Sequence, residues 1–314
     1  MNFGLSDDQR ALAETVRDVL HAHCPPAALR TERRPGWKRL AELGFFGLLQ
    51  PAEAGGLGLD LVDVLPALEE TGRACLPGPV VETAVLAPFL LAGTPELASG
   101  AVSVGVLPPG QAYLADADLA DLLVVVRDGQ ARLAPRARAL LTPRRGVDPC
   151  RPLFEVRLSG AEALSGPVGP ALERATVATA AQLIGVAREL LSVTVGYARA
   201  RTQFGAPIGS FQAVKHHLAD VAVAVEFAAP LVYRAALTAG SDDAERDTSA
   251  AKAAAGDAAT LAARVALQVH GAIGYTEELD LRFWLARAWS LSAAYGTTAA
   301  HRERLRAAIV RRSP

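Results

Sequence analysis

Apolar residues recur at three- and four-residue spacing over most of this chain, and that pattern predicts a mainly helical protein. Leu12, Val16, Val19 and Leu20 mark one face of a first helix. Ser6 followed three residues later by Gln9 forms a capping box at its start, and Pro25-Pro26 ends it. A second helix is expected over residues 37–43, stopping at Gly44, a third over 61–72 and a fourth over 81–91. Near Gly100 the period shortens. Residues 101–106, 122–127, 131–133 and 153–158 are short β-prone runs, with Asp128-Gly129 as a hairpin turn. From about Pro170 the helical period returns, in long segments over 172–199 and 211–237. The first of these has a buried stripe of Leu183, Val186, Ala187, Leu190, Leu191 and Thr194. Asp242, Asp243, Glu245, Arg246 and Asp247 read as a solvated linker. Helices over 249–270, 279–292 and 298–310 close an antiparallel bundle.

Three units follow: a helical domain over 1–98, a small β domain over 99–169 and a helical bundle over 170–314. The length of 314 residues with 51% hydrophobic positions supports a large core, and the net charge of -1 argues against nucleic acid. Three well-separated cysteines, Cys24, Cys75 and Cys150, have no metal spacing and fit a reduced, cytoplasmic protein. The N-terminus lacks the basic and apolar regions of a signal peptide, and the apolar run over 80–92 is too short to cross a bilayer. The Gly-dense stretch 45–58 lacks the strand that a dinucleotide-binding loop requires.

The densest chemistry lies in Arg201-Thr202-Gln203-Phe204-Gly205-Ala206-Pro207-Ile208-Gly209-Ser210-Phe211-Gln212, between two long helices. Gly and Pro turn the chain there, leaving a guanidinium beside amide side chains. Such a corner suits an anionic, hydrogen-bonding ligand such as a pyrophosphate, or is a purely structural corner whose Arg caps carbonyls. His216 and His217 are adjacent on a helix and face apart, so no metal site is expected. His270, just before Gly271, reads as a helix C-terminal cap, and Trp284 and Trp289 as core or interface anchors.

In this order the motifs resemble the acyl-CoA dehydrogenase family over nearly the whole length. They are Phe3-x-Leu5-Ser6 with Gln9, Trp37-x-x-Leu40-Ala41-Glu42-Leu43-Gly44, and Gly47-Leu48-x-x-Pro51-x-x-x-Gly55-Gly56-x-Gly58. Leu68-Glu69-Glu70-x-Gly72-Arg73 comes next, then Arg201-x-Gln203-Phe204-Gly205-x-Pro207-Ile208, and last Gln268-x-x-Gly271-x-x-Gly274-Tyr275-Thr276. The resemblance implies FAD at a subunit interface, with a carboxylate base taking the Cα proton of an acyl-CoA and the flavin taking the Cβ hydride. It implies that Arg201, Gln203 and Phe204 contact the FAD of a neighbouring subunit and that Gln212 contacts its adenine or ribose side. Gln268, Gly271 and Gly274 resemble the turn that approaches the pyrophosphate, although Ala272 stands where a second Gly is usual. Thr297 resembles the threonine of the family's Tyr-Glu-Gly-Thr segment.

The departures redirect the reading. The base is expected just before the Gly-Thr pair, where this chain has Ala294-Tyr295-Gly296-Thr297, so Tyr295 replaces the glutamate or the glutamate is deleted. A phenol with an ordinary pKa near 10 is a poor base at neutral pH. The family's alternative position falls near Ala175. Glu173 lies close by but is rotated away on the helix, and Glu189, Glu226 and Glu303 read as surface or ion-pair groups. The β domain is short and lacks the flavin-covering segments.

The chain therefore resembles the short, base-less subunits of actinobacterial heteromeric α2β2 acyl-CoA dehydrogenases. That resemblance implies an oxidoreductase acting on CH–CH bonds only with a glutamate-bearing partner, a steroid side-chain or other bulky acyl-CoA as substrate, and an electron-transfer acceptor. Two alternatives stay open: a homomeric protein repurposed for non-redox biosynthetic catalysis, and a non-catalytic structural subunit.

Overall fold

The structure is a computed structural model that describes residues 4–91 and 93–312. Phe3, the first residue of the opening motif, lies outside the described residues. The first helix, α1 (Asp7–His23), starts at Ser6, whose hydroxyl accepts from the Gln9 backbone while Gln9 reaches back to the Ser6 N–H. Helices α2 (Trp37–Glu42) and α3 (Leu61–Arg73) follow, joined by short 3-10 turns through the glycine-dense stretch. The expected fourth helix is a π-helical turn, Glu82–Leu86, running into α4 (Ala87–Leu90). A short α5 (Pro95–Ala98), which the hydrophobic pattern did not reveal, precedes the strands.

Seven strands make two small sheets. β1 (Val104–Leu107) pairs in parallel with β3 (Leu122–Arg127), which turns through Asp128-Gly129 into antiparallel β4 (Gln130–Pro135), and β4 pairs with β7 (Glu162–Leu164). The second sheet has the order β2 (Leu114–Ala115), β6 (Leu153–Leu158), β5 (Ala139–Arg144). Strands β2, β5 and β7 escaped the sequence reading because they are short or mostly exposed, with no apolar alternation to reveal them. A small core of Leu107, Leu114, Leu123 and Val156 fills the space between the sheets. Val104, Val106, Val124 and Val126 point the other way, into the main core shared with the helices.

The bundle consists of α6 (Val168–Ala200), α7 (Gln212–Leu237), α8 (Ala244–His270), α9 (Leu281–Ala293) and α10 (Thr298–Arg312). By length and composition α6 could cross a membrane, but 72% of its most apolar window is buried inside the fold, as expected of a central core helix. Glycines set the crossing of α3 on α6. A Cβ at Gly72 would fall 2.1 Å from the Gln182 carbonyl oxygen, and one at Gly185 would fall 2.0 Å from that of Glu69. One expectation is corrected here. The charged run after Asp243 is not a solvated loop: Glu245, Arg246 and Asp247 form the first turn of α8, and Asp247 is buried, accepting from Arg234 at 2.9 Å and Arg246 at 2.8 Å. Two guanidiniums satisfy its carboxylate, so the acidic residue enters the helix instead of solvent.

Candidate functional site

The corner after α6 is a miniature β-hairpin. Thr202 pairs with Pro207 and Gln203 with Ala206, and Phe204 and Gly205 form the turn with φ of 53° and 79°. Two consecutive positive φ values define the hairpin turn that matches strand twist, and they are a cost for Phe204. The Ile208 N–H donates to the Arg201 carbonyl at 2.8 Å and closes the loop. Phe204 is 94% exposed, its ring resting edge-on against Phe211 at 6.3 Å. Arg201, Gln203 and Gln212 are also exposed, and the Arg201 guanidinium has no partner among the described residues.

The second motif lies at the same end of the bundle. Tyr197, in the last turn of α6, stacks on His270, the last residue of α8, with ring centroids 4.2 Å apart. His270 Nδ1 is 2.8 Å from the Ala266 carbonyl oxygen, and burial lowers the imidazole pKa. Gln268, two residues back on α8, is exposed. Gly271 begins a 3-10 turn to Tyr275 with φ of 66°, and open space lies where its Cβ would stand. Gly274 is buried under Leu267 and His270. The Tyr197–His270 stack thus puts the turn that carries Arg201, Gln203, Phe204 and Gln212 at the same end of the bundle as Gln268, Gly271 and Gly274.

Thr297 is not part of this group. It caps α10, accepting from the Ala300 N–H at 3.2 Å, in a turn beside Lys252 near the start of α8. Lys252 and His270 are eighteen positions apart on that helix, so the two sites are separated by roughly 27 Å.

Around the Thr297 turn lie Tyr295, which the sequence singled out, and buried polar groups that it did not. Tyr295 is buried at φ of 55°, and its hydroxyl donates to Glu82 Oε1 at 2.8 Å. Burial and the adjacent Glu82 hold the phenol well above its ordinary pKa. Lys252 is fully buried and donates to the carbonyls of Ser292 and Gly296, both at 3.1 Å, and burial pushes its pKa down to about 7. Buried His301 places Nε2 3.0 Å from the Tyr295 carbonyl oxygen, and burial lowers its pKa to about 4. Nearby, Arg287 and Asp148 form a buried ion pair at 2.6 Å, and Arg287 also donates to the Leu76 carbonyl at 2.8 Å. Asp116, fully buried with one oxygen unpartnered, is pushed up to about 7 by burial. Lys252 and Arg287 appear in the sequence as single charges among apolar residues, Asp116, Asp148 and His301 among other polar ones, and nothing there shows that they converge.

Other carboxylates are accounted for. Glu69 pairs with Arg188 at 3.1 Å, Glu226 with Arg188 at 3.5 Å, Glu189 with Arg73 at 3.9 Å, and exposed Glu303 with Arg306 at 2.6 Å. Glu173 is half-buried, and desolvation raises its pKa. A 660 Å³ cleft where α1, α3, α6 and α7 meet is lined by several of these internal pairs and lies away from both turns. Among the described residues no group of His, Cys, Asp and Glu is arranged to hold a metal. Trp284 is buried with its indole donating to the Arg73 carbonyl at 2.7 Å, while Trp289 is 39% exposed.

The family descriptions "Acyl-CoA dehydrogenase, N-terminal domain" and "Acyl-CoA dehydrogenase, C-terminal domain" match residues 6–100 and 169–310. The chain belongs to the acyl-CoA dehydrogenase family. Within that family it is 35% identical over 299 residues to acyl-CoA dehydrogenase IpdE2 of Mycobacterium tuberculosis, covering 90% of this chain and 91% of that protein. It is 33% identical over 320 residues to IpdE2 of Mycolicibacterium smegmatis, covering 97% and 100%. The ChsE4-ChsE5 complex from Mycobacterium tuberculosis shares the fold, with a TM-score of 0.87 over all of both chains at 22% identity. The glutaryl-coenzyme A dehydrogenase glutaryl-CoA complex does so with a TM-score of 0.88 over 99% of this chain and 97% of that one, also at 22% identity.

Proposed function

We propose that this chain is a subunit of a flavin-dependent acyl-CoA dehydrogenase and completes, from one side, an FAD site whose base comes from a partner subunit. The observation that carries this reading is the hairpin. It holds an aromatic ring almost entirely in solvent, at a backbone angle that is costly for it, beside a guanidinium with no partner among the described residues. A monomer gains nothing from that arrangement. A neighbour's dinucleotide fits it: Arg201 would pair with its pyrophosphate, Gln203 and Gln212 would offer amides to ribose and adenine, and Phe204 would offer a stacking face. Gln268 and the open Gly271 turn lie on the same end, where backbone can approach a phosphate closely. The chemistry of the donor set therefore suits FAD.

When bound, the flavin supplies the acceptor for the hydride leaving the acyl Cβ. This chain's residues bind and orient it. Tyr295, which directly precedes the Gly296-Thr297 pair, is a protonated donor to Glu82 and does not take the Cα proton. The partner carries the carboxylate. Heteromeric dehydrogenases of this fold, such as the ChsE4-ChsE5 complex and the Tcur3481-Tcur3483 steroid protein, support a two-subunit assembly acting on a bulky thioester, including a steroid side chain. Electrons leave through an electron-transfer acceptor, and the assembly works in the cytoplasm. Residues 1–98, 99–169 and 170–314 act as its helical, β and bundle units.

Co-expression with the glutamate-bearing partner tests the reading. The complex shows flavin absorbance and reduces an acceptor with acyl-CoA, and the chain alone is colourless. A chain that desaturates acyl-CoA alone at the complex's rate contradicts it.

A further inference from the structure

Tyr295 and Glu82 meet at a small internal cavity beside the turn where the family resemblance puts the base that faces the acyl chain. Tyr295 directly precedes the Gly296-Thr297 pair, where by resemblance it replaces the family's base or the base is deleted; Glu82 opens the π-helical turn, and Arg151, Thr179, Gln182 and Leu291 line the same space. The cavity left among them is about 20 Å³. That holds one water, whereas small-molecule sites run from about 300 Å³ upward.

The closure is built from several elements. The Tyr295 hydroxyl donates to Glu82 at 2.8 Å across the cavity. From α8, Lys252 donates to Ser292 and Gly296 at the end of α9 and in the turn. From α10, His301 donates Nε2–H to the Tyr295 carbonyl, and its Nδ1 is 3.4 Å from Ser249 Oγ. Tyr295 holds a left-handed φ of 55° that aims its ring inward, and Gly296 follows at 112°. A Cβ at Gly296 would meet His301 Nε2 at 2.8 Å. Opening the turn breaks at least three hydrogen bonds of buried groups, each costly to leave unmade. A strained, non-glycine conformation held by such a network is a selected feature and not slack in the chain.

We infer that this chain's own acyl cavity is shut from within by a latch, the Tyr295–Glu82 hydrogen bond, with Lys252 and His301 as positioning residues for its turn. The inference rests on the proposed reading only for its setting, in that thioester binding then belongs to the partner's site. It goes further than the loss of a base, because the substrate itself is excluded.

The test uses the co-purified complex and S-butyl-CoA, a thioether that cannot be desaturated as a thioester is. Equilibrium dialysis counts bound ligand per heterodimer, and flavin content is read on the same samples. Tyr295→Gly and, separately, Glu82→Ala each gain one bound S-butyl-CoA per heterodimer over the unmutated complex, with flavin content unchanged. Lys252→Met gives part of that gain. Two variants from different elements are used so that misfolding of one does not end the test. Unchanged stoichiometry in the folded latch variants overturns the latch, as does a ligand already bound to this chain in the unmutated complex. Loss of the interface reading shows separately, as flavin absent from the unmutated complex.

Discussion

The rings of Tyr197 and His270 lie 4.2 Å apart and 24° from parallel, joining the last turn of α6 to the last turn of α8. This contact holds the Arg201 hairpin beside the Gly271 turn. Tyr197→Ala removes a ring pair that contributes about 1 kcal/mol beyond its buried area. The expected outcome is a modest fall in Tm and faster amide exchange in residues 201–207 and 271–275, with the remaining bundle unchanged.

The buried Arg287–Asp148 pair makes a second prediction. Asp148→Ala strands a guanidinium that also reaches the Leu76 carbonyl. Breaking such a pair on one side costs about 3–5 kcal/mol. Urea denaturation of Asp148→Ala is expected to show that loss, and Arg287→Met combined with Asp148→Leu is expected to recover most of it.

The glycine crossing of α3 on α6 is equally specific. Gly185→Ala places a methyl 2.0 Å from the Glu69 carbonyl oxygen, which is backbone and cannot swing aside. Overpacking of this kind costs about 1–3 kcal/mol or more. Gly169→Ala, where nothing lies within 4 Å, serves as the neutral control in the same denaturation series.

Stability against pH follows from two buried groups of opposite sign. His301 is lowered from 6.5 to about 4 by burial, so the unfolded chain binds the proton first. Its contribution is fully present above pH 6.5 and is lost as pH falls toward 4, on the order of 3 kcal/mol. Asp116 is raised from 3.8 to about 7 by burial, so its contribution is present at low pH and is lost as pH rises from 3.8 through 7. His301→Gln is expected to flatten the acid limb of the stability curve, and Asp116→Asn to raise stability at pH 8. Denaturant titrations at pH 4.5, 6.5 and 8 measure both.

The sequence revealed most of the helices because their apolar faces repeat regularly and their ends carry local signals, such as the Ser6–Gln9 box and the glycines at 44 and 271. The Arg201 corner was legible as a turn between two long helices, though not as a hairpin, because its two-residue strands are too short for any period. Asp247 was misread because its charge is neutralised by Arg234, thirteen positions away, and no local pattern reports that contact. The same limit hid the latch. Glu82 and Tyr295 are separated by more than two hundred residues, and Lys252 sits in an alanine-rich helix with several other charged residues from which nothing local sets it apart.

The most direct test of the account is the FAD dissociation constant of the co-purified complex carrying Arg201→Ala and Phe204→Ala. Both side chains are exposed, so the fold and assembly are expected to stay intact. A charge-assisted contact contributes about 1.5–3 kcal/mol, and loss of the guanidinium alone therefore corresponds to roughly 10- to 100-fold. The account predicts FAD affinity weakened at least about tenfold in the intact complex. An affinity within twofold of the unmutated complex contradicts it.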